Sequence, residues 1–368
     1  MGTPDVEQAV EDDRRRKRPL DGVRILAVEQ MAALPFATQL LARLGAEVVK
    51  VEHPTTGDSG RGSHPAVADP DGRPVGATFL RNNLNKRSLA IDLKQPEGVD
   101  LVLRLAPRFD VFGENFRAGT AARLGIGYEA VRATHPAVVY LSISGFGQDP
   151  ASPYRDMGAY AAIVEGMSGI YEYKRAPGRP PAANPVGALG DISSALFGAV
   201  GVLAALRHRD HTGVGQHIDV AMLDATVAMT DIVANFQSLG VEREWGSGIG
   251  IVETFAASDG HFVLQCVREH HFATLCTEIG YPELADDERF ATRAGWQDHL
   301  DDVLRPAIES WASDRSLAEV VGILSGAGMA CGPSQTSAQV VADPHLAVRN
   351  MLVETLPSDD GNPVLVPG

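Results

Sequence analysis

The stretches Val-Arg-Ile-Leu-Ala-Val at 23–28, Phe-Ala-Thr-Gln-Leu-Leu-Ala-Arg-Leu at 36–44 and Glu-Val-Val-Lys-Val-Glu at 47–52 decide the fold. The first and third are short runs of strand-type apolar residues. The middle one sets Leu40, Leu41 and Leu44 on one side of a helix. Strand, helix and strand in such close succession predict a right-handed βαβ unit. The alternation recurs downstream: a helix near 99–105 leads to a strand near 110–112, and a helix near 128–133 to one near 138–143. The expected fold class is α/β, a Rossmann-like parallel sheet covered by helices on both faces.

Outside that pattern the composition narrows the field. The chain has 368 residues, 44% hydrophobic, enough for one large domain or two smaller ones. Its net charge of -15 argues against nucleic acid or an anionic membrane as a partner. No Gly-x-Gly-x-x-Gly follows the first strand, where Glu29-Gln30-Met31-Ala32-Ala33-Leu34-Pro35 stands instead, so neither NAD nor FAD is expected. No Walker A motif occurs. Cys266, Cys276 and Cys331 have no metal-like spacing, and no histidine pair has one, so no metal is expected. The polar start ends in Arg14-Arg15-Arg16-Lys17-Arg18 with no apolar run behind it. The apolar run 192–206 is short for a bilayer span and reads as a buried helix. A cytoplasmic protein follows as the expectation.

The domain plan places a polar tail at 1–18, a large ligand-binding domain at 19–210 and a linker at 211–224. A small α+β domain at 225–338 and a C-terminal return to the large domain at 339–368 complete it. Asp191 is placed to N-cap the helix that follows it. Gly246, Gly248 and Gly250 sit in a glycine-rich loop.

Residues 152–169 read Ser-Pro-Tyr-Arg-Asp-Met-Gly-Ala-Tyr-Ala-Ala-Ile-Val-Glu-Gly-Met-Ser-Gly. They resemble the active-site segment of the family III CoA-transferases of the CaiB/BaiF type, which include formyl-CoA transferase and α-methylacyl-CoA racemase. Six further motifs, in order, carry the same resemblance from Leu20 to Gly368: Leu20–Leu26, Leu44–Glu52 with Gly57-Asp58, Asn85–Ser88 with Asp92–Lys94, Glu114–Arg117 with Arg123-Leu124-Gly125, Ser144–Gly147, and Thr212–Gln216. Members of the family usually continue past the Val-Pro-Gly at 366–368.

The resemblance implies coenzyme A or an acyl-CoA as substrate, with a small carboxylic acid as its exchange partner. It implies an intertwined homodimer, or a heteromer with a paralogous subunit. Gln30, Met31, Ala32, Lys86, Asn115, Phe116, Arg123 and Leu124 match positions that line the family's CoA groove. A CoA groove needs cations for phosphates, and Lys86, Arg87, Arg117 and Arg123 supply them beside expected strand ends. The glycine loop resembles the family's mobile cover over the acyl site.

Anchored on Met167-Ser168-Gly169, the resemblance sets the nucleophilic Asp of the transferases at position 161, which is Ala161 here. Glu165 and Asp156 are the nearby carboxylates that would replace it, and Tyr160 is a candidate proton donor. In the racemases a His matching Tyr160 and an Asp matching Asp191 are the two bases; the resemblance also gives the transferases an Asp at the latter position, where it is not the nucleophile. Three readings stay open: a CoA-transferase, a racemase using Asp191 and Tyr160, and a non-catalytic CoA-binding subunit.

Overall fold

The computed structural model describes residues 17–172, 178–183, 187–240, 250–357 and 361–367. The chain forms two compact units, one of residues 1–239 with 353–367, the other of 240–352. Strand β1 (Arg24–Val28), helix α1 (Ala33–Arg43) and strand β2 (Glu47–Glu52) form the first βαβ turn. The sheet continues with β3 (Lys86–Ala90), β4 (Val111–Glu114), β5 (Val139–Ser144) and β6 (His217–Ala221). Helices α2 (Pro96–Leu105) and α3 (Tyr128–Thr134) precede β4 and β5. All pairings are parallel and the order is β3-β2-β1-β4-β5-β6.

Period-two alternation along β1 explains the layering. Ile25 and Ala27 enter the core that holds Leu34 and Leu41 of α1. Leu26 and Val28 enter the opposite core, with Val102 of α2 and Val131 of α3. Chain direction along the sheet reverses between β1 and β4, so a crevice opens beyond their carboxyl ends.

Residues 211–224, expected as a linker, carry β6, which pairs with β5 and closes the sheet edge. Its Val220 and Ala221 are buried, which a free linker would not offer. Helix α4 (Ala161–Met167) packs on α5 (Leu189–Thr212). Half of the α5 window that is apolar enough to span a bilayer is packed inside. The buried reading of 192–206 holds for one face only, since Leu196, Phe197, Val200 and Leu203 are exposed. Of the expected tail, residues 1–16 lie outside the described residues. The C-terminal strand Pro363–Pro367 returns to the first unit, where Val366 packs with Val75 and Leu80.

The second unit holds an antiparallel sheet in which Gly260–Cys266 is central between Ile251–Ala257 and Ala330–Pro333. One face packs on helices through Phe262, Leu264, Phe272 and Trp296, the last two stacked at 4.4 Å. Cys266 and Cys276 lie in this core, and burial pushes both thiols up to about 12. They behave as small apolar residues.

A charged network is buried beside the first βαβ turn. Lys86 Nζ meets Glu29 Oε1 at 2.6 Å, Lys50 Nζ meets the same oxygen at 3.5 Å, and Lys50 pairs with Asp58 at 2.6 Å. Burial alone would raise the Glu29 carboxyl, but Lys86 and Lys50 beside it hold it below the ordinary range. Lys86→Ala should leave the Glu29 charge with only the longer Lys50 contact and cost roughly 3–5 kcal/mol, read as a lower midpoint in urea unfolding of the full chain.

Candidate active site

The site forms where β1 and β4 end. Gln30 and Asn115, the residues just past these strands, clamp each other: the Gln30 N–H donates to Asn115 Oδ1 at 3.0 Å and Asn115 Nδ2 donates to the Gln30 carbonyl at 2.9 Å. Met31 then adopts a left-handed backbone, φ 62°. That conformation is costly for a side-chain-bearing residue and must be held by its surroundings. Asp58 accepts its N–H at 2.9 Å and Asn82 donates to its carbonyl at 3.3 Å. The Phe116 N–H donates to Glu114 Oε2 at 2.9 Å, which fixes the second loop. Burial, the largest effect, pushes the Glu114 carboxyl up to about 7, and the Asp219 charge adds to it against the Ser142 and Phe116 hydrogen bonds.

A cavity of ≈ 260 Å³ opens over these loops, lined among others by Gln30, Met31, Asn115, Phe116, Tyr160 and Asp191. A second, of ≈ 190 Å³, shares Gln30 and Phe116 and adds His53, Ile91, Leu93, Lys94 and Leu124. The shared residues make one groove along the carboxyl edge of the sheet.

Asp191 is the only carboxylate among the described residues that line the first cavity. It is not the N-cap that the sequence suggests. The helix starts two residues earlier, behind Ala188 at φ 64°, and Asp191 lies in its first turn. Its carboxylate instead lies toward the backbone N–H of Ala33, the first residue of α1, which favours its charged form. That turn has no acidic residue of its own and no side-chain cap, so Asp191 supplies an anion where the helix dipole favours one. Burial pushes the Asp191 carboxyl up to about 6, and the Glu165 charge adds to it, against the Ala33 N–H and Arg81.

The other expected site residues separate into two groups. Gln30, Met31, Asn115, Phe116 and Tyr160 meet Asp191 around the first cavity, Tyr160 being 75% exposed. Leu124 lines the second cavity. Ala32 precedes α1 and lines neither cavity. Arg123 donates to Thr120 Oγ1 at 2.7 Å and lines neither. Lys86, expected as a groove cation, is buried and paired to Glu29, with further bonds to the Pro35 carbonyl and Asn83. An anion outside the core cannot reach it, so its part is to hold the Glu29 end of β1.

Ala161 is buried at the start of α4 and is not among the cavity-lining residues. It abuts Gly190, where a Cβ would come within 3.3 Å of Ala161 Cα and 2.6 Å of Val164 Cγ2. Glu165 is buried and committed, accepting from Tyr171 Oη at 2.9 Å and from the Gly190 N–H at 3.1 Å. It ties α4 to the start of α5 and acts on Asp191 through space. Asp156 offers its backbone carbonyl to Arg117 at 3.3 Å. Gly246 and Gly248 lie outside the described residues; Gly250 is at φ 100°, directly before the strand Ile251–Ala257.

Sequence reasoning did not assign His53, Lys94 and Arg155 to the site. Lys94 stands in the quoted Asp92-Leu93-Lys94 motif just beyond β3, and that place at a strand end was the available signal. Arg155 lines the first cavity and stands inside the 152–169 segment itself.

Because the folded Asp191 carboxyl titrates above its ordinary 3.8, it favours the fold fully below that value. The advantage is lost as pH rises through about 6. A carboxyl ¹³C NMR titration should find the Asp191 midpoint near 6. In Glu165→Gln, which removes one of the two raising causes, the midpoint should fall.

Residues 20–368 match the profile of CoA-transferase family III. The succinyl-CoA–D-citramalate CoA-transferase of Chloroflexus aurantiacus is 36% identical over 92% of this chain and 84% of its own length. The succinate–glutarate CoA-transferase of Agrobacterium fabrum is 34% identical over 97% of this chain and 89% of its own. A crystal structure of a CaiB/BaiF family protein from Brucella suis superposes with a TM-score of 0.82 at 32% identity, covering 95% of both chains.

Proposed function

Since the chain belongs to CoA-transferase family III, we propose that it moves coenzyme A between two carboxylic acids with Asp191 as the nucleophile. The observation that carries this reading is the position of Asp191 as the single carboxylate, among the described residues, that lines the cavity over the β1 and β4 loops. On this reading Ala161, which abuts Gly190 and is not among the cavity-lining residues, marks no lost group.

The chemistry is carboxylate nucleophilic catalysis. An ionised Asp191 oxygen attacks the thioester carbonyl of the donor acyl-CoA. The carbon–sulfur bond breaks, CoA leaves as thiolate and a mixed anhydride remains on Asp191. The thiolate attacks the Asp191 side of the anhydride, releasing the donor acid and leaving an aspartyl-CoA thioester. The acceptor carboxylate attacks that thioester, giving a second anhydride and thiolate again. Thiolate attack on the acceptor's carbonyl forms the new acyl-CoA and returns the Asp191 carboxylate. A carboxyl titrating near 6 is ionised at neutral pH yet more nucleophilic than an ordinary aspartate.

Racemase chemistry needs a second base opposite Asp191. No histidine or further carboxylate lines the cavity among the described residues. A silent subunit would have no use for a desolvated carboxylate in the groove. Both readings fit the site less well.

Asp191→Asn should lower kcat by roughly 10³-fold or more. Hydroxylamine added during turnover of the wild type should leave a hydroxamate on the Asp191 peptide, detected by mass spectrometry. Labelling elsewhere, or an active Asp191→Asn, overturns the assignment. The value of kcat/KM should rise tenfold per pH unit below about 6 and level off above it.

The same reading includes a dimer. Leu196, Phe197, Val200 and Leu203 form an exposed apolar stripe on α5, Val200 being 64% exposed. A helix face of that kind is better covered than wet. Phe197→Glu with Val200→Glu should give a monomer by light scattering; an unchanged mass removes this support.

A further inference from the structure

Two guanidinium groups in the first cavity have no part in the chemistry above. Arg117 and Arg155 both line it, so the cavity lining carries two cations against the one carboxylate, Asp191. The cation that acts on Asp191 is Arg81, which lies outside that lining. Among the described residues neither Arg117 nor Arg155 has a carboxylate partner within ion-pair distance. Arg117 spends one nitrogen on the Asp156 carbonyl at 3.3 Å. The Arg155 Nε is buried and has no hydrogen-bond partner. A buried guanidinium donor without an acceptor is costly, and the cost is removed by an anion brought from outside.

The backbone around these groups leaves space for them. Gly119 stands at φ 72°, and a Cβ there would come within 3.1 Å of Arg155 Nη2 and 3.4 Å of Arg123 Nη1. A Cβ on Gly158 would come within 2.9 Å of Arg117 Nη2. Two glycines thus flank these guanidiniums, and a side chain at either would crowd an arginine end. A pantetheine arm, with two amides and about a dozen backbone bonds, spans roughly 15 Å when extended. A CoA whose sulfur meets Asp191 therefore carries its phosphates well away from the carbonyl under attack. The anion that enters the same cavity as that carbonyl comes from the acyl group.

We propose that Arg155 and Arg117 form a subsite for a second carboxylate, so that the acids exchanged here are short dicarboxylates. The proposal rests on Asp191 being the nucleophile, which fixes the end of the cavity where the thioester lies. One carboxyl is activated at Asp191 while the other is held by the guanidiniums, and a monocarboxylic acid of equal length leaves them unpaired. A site built for a polar group rejects the analogue that lacks it far more strongly than an apolar pocket rejects a missing methylene.

The test compares succinyl-CoA with butyryl-CoA, which differ by carboxylate against methyl at equal chain length. Wild type should prefer succinyl-CoA by ~10²-fold or more in kcat/KM. Arg155→Met should bring that preference below tenfold, mainly through KM, and Arg155→Lys should restore part of it. Arg117→Met is the second variant, with the same direction, and thermal melts check that each folds. The dissociation constant of free CoA, by calorimetry, should stay within threefold in both variants. No preference in the wild type overturns the proposal. So does an equal loss for both thioesters with a matching loss of free-CoA affinity, which would assign the arginines to the CoA phosphates. Failure of the Asp191 reading appears separately, as an active Asp191→Asn or a label elsewhere. In that case the dissociation constants of the two thioesters, measured without turnover, still decide the subsite.

Discussion

The buried ion network of Glu29, Lys86, Lys50 and Asp58 is the constraint on which the site depends. Four charges inside a protein are expensive unless each is paired and hydrogen-bonded. Here Glu29 also takes the Thr38 hydroxyl at 2.8 Å, and Asp58 takes the Gly60 N–H at 2.7 Å. What the network returns is geometric. Asp58 uses one oxygen on Lys50 and the other on the Met31 N–H. The left-handed turn at Met31, which brings the β1 loop over the cavity, is thereby tied to the core of the sheet. Lys86 belongs to this support, one step behind the groove in which a cation would face the ligand.

A similar economy governs Asp191. One carboxylate sits near the start of α1, where that helix favours a negative charge, and is kept basic by burial and by Glu165. Glu165 is in turn held by Tyr171 and the Gly190 N–H, so the charge that perturbs Asp191 cannot move away. The glycine at 190 lets α4 approach this closely, since a Cβ there would meet Val164. The environment of the Asp191 carboxyl is set by three segments remote from one another in sequence.

Arg117, Arg155 and Asp191 add a division of labour within one cavity. In the proposed exchange the carboxylate meets the thioester, and the cations hold the part of the acid that does not react. Binding energy drawn from the far end of a substrate orients the near end. Arg155 stands in the segment by which the chain resembles its family, and Arg117 directly follows Asn115-Phe116.

The sequence by itself determined the layer architecture and the family. The period-two pattern of β1 sends Ile25 and Ala27 one way and Leu26 and Val28 the other, and no distant residue is needed to read that. It also determined that Gln30, Asn115 and Phe116 follow strands, which is why they meet at the sheet edge. The tertiary structure decided which charges are free. Lys86 and Arg155 look alike in sequence, each a cation near a strand or loop, but Lys86 faces Glu29 across a span of 57 positions whereas Arg155 has no carboxylate opposite it among the described residues. It decided too that Asp191 lies toward the start of α1 and does not cap its own helix, and that residue 161 is buried and not among the cavity-lining residues. Hydrophobic periodicity is local and survives in a string of letters. Desolvation and pairing depend on what the fold brings close, and they alone separate a structural charge from a reactive one.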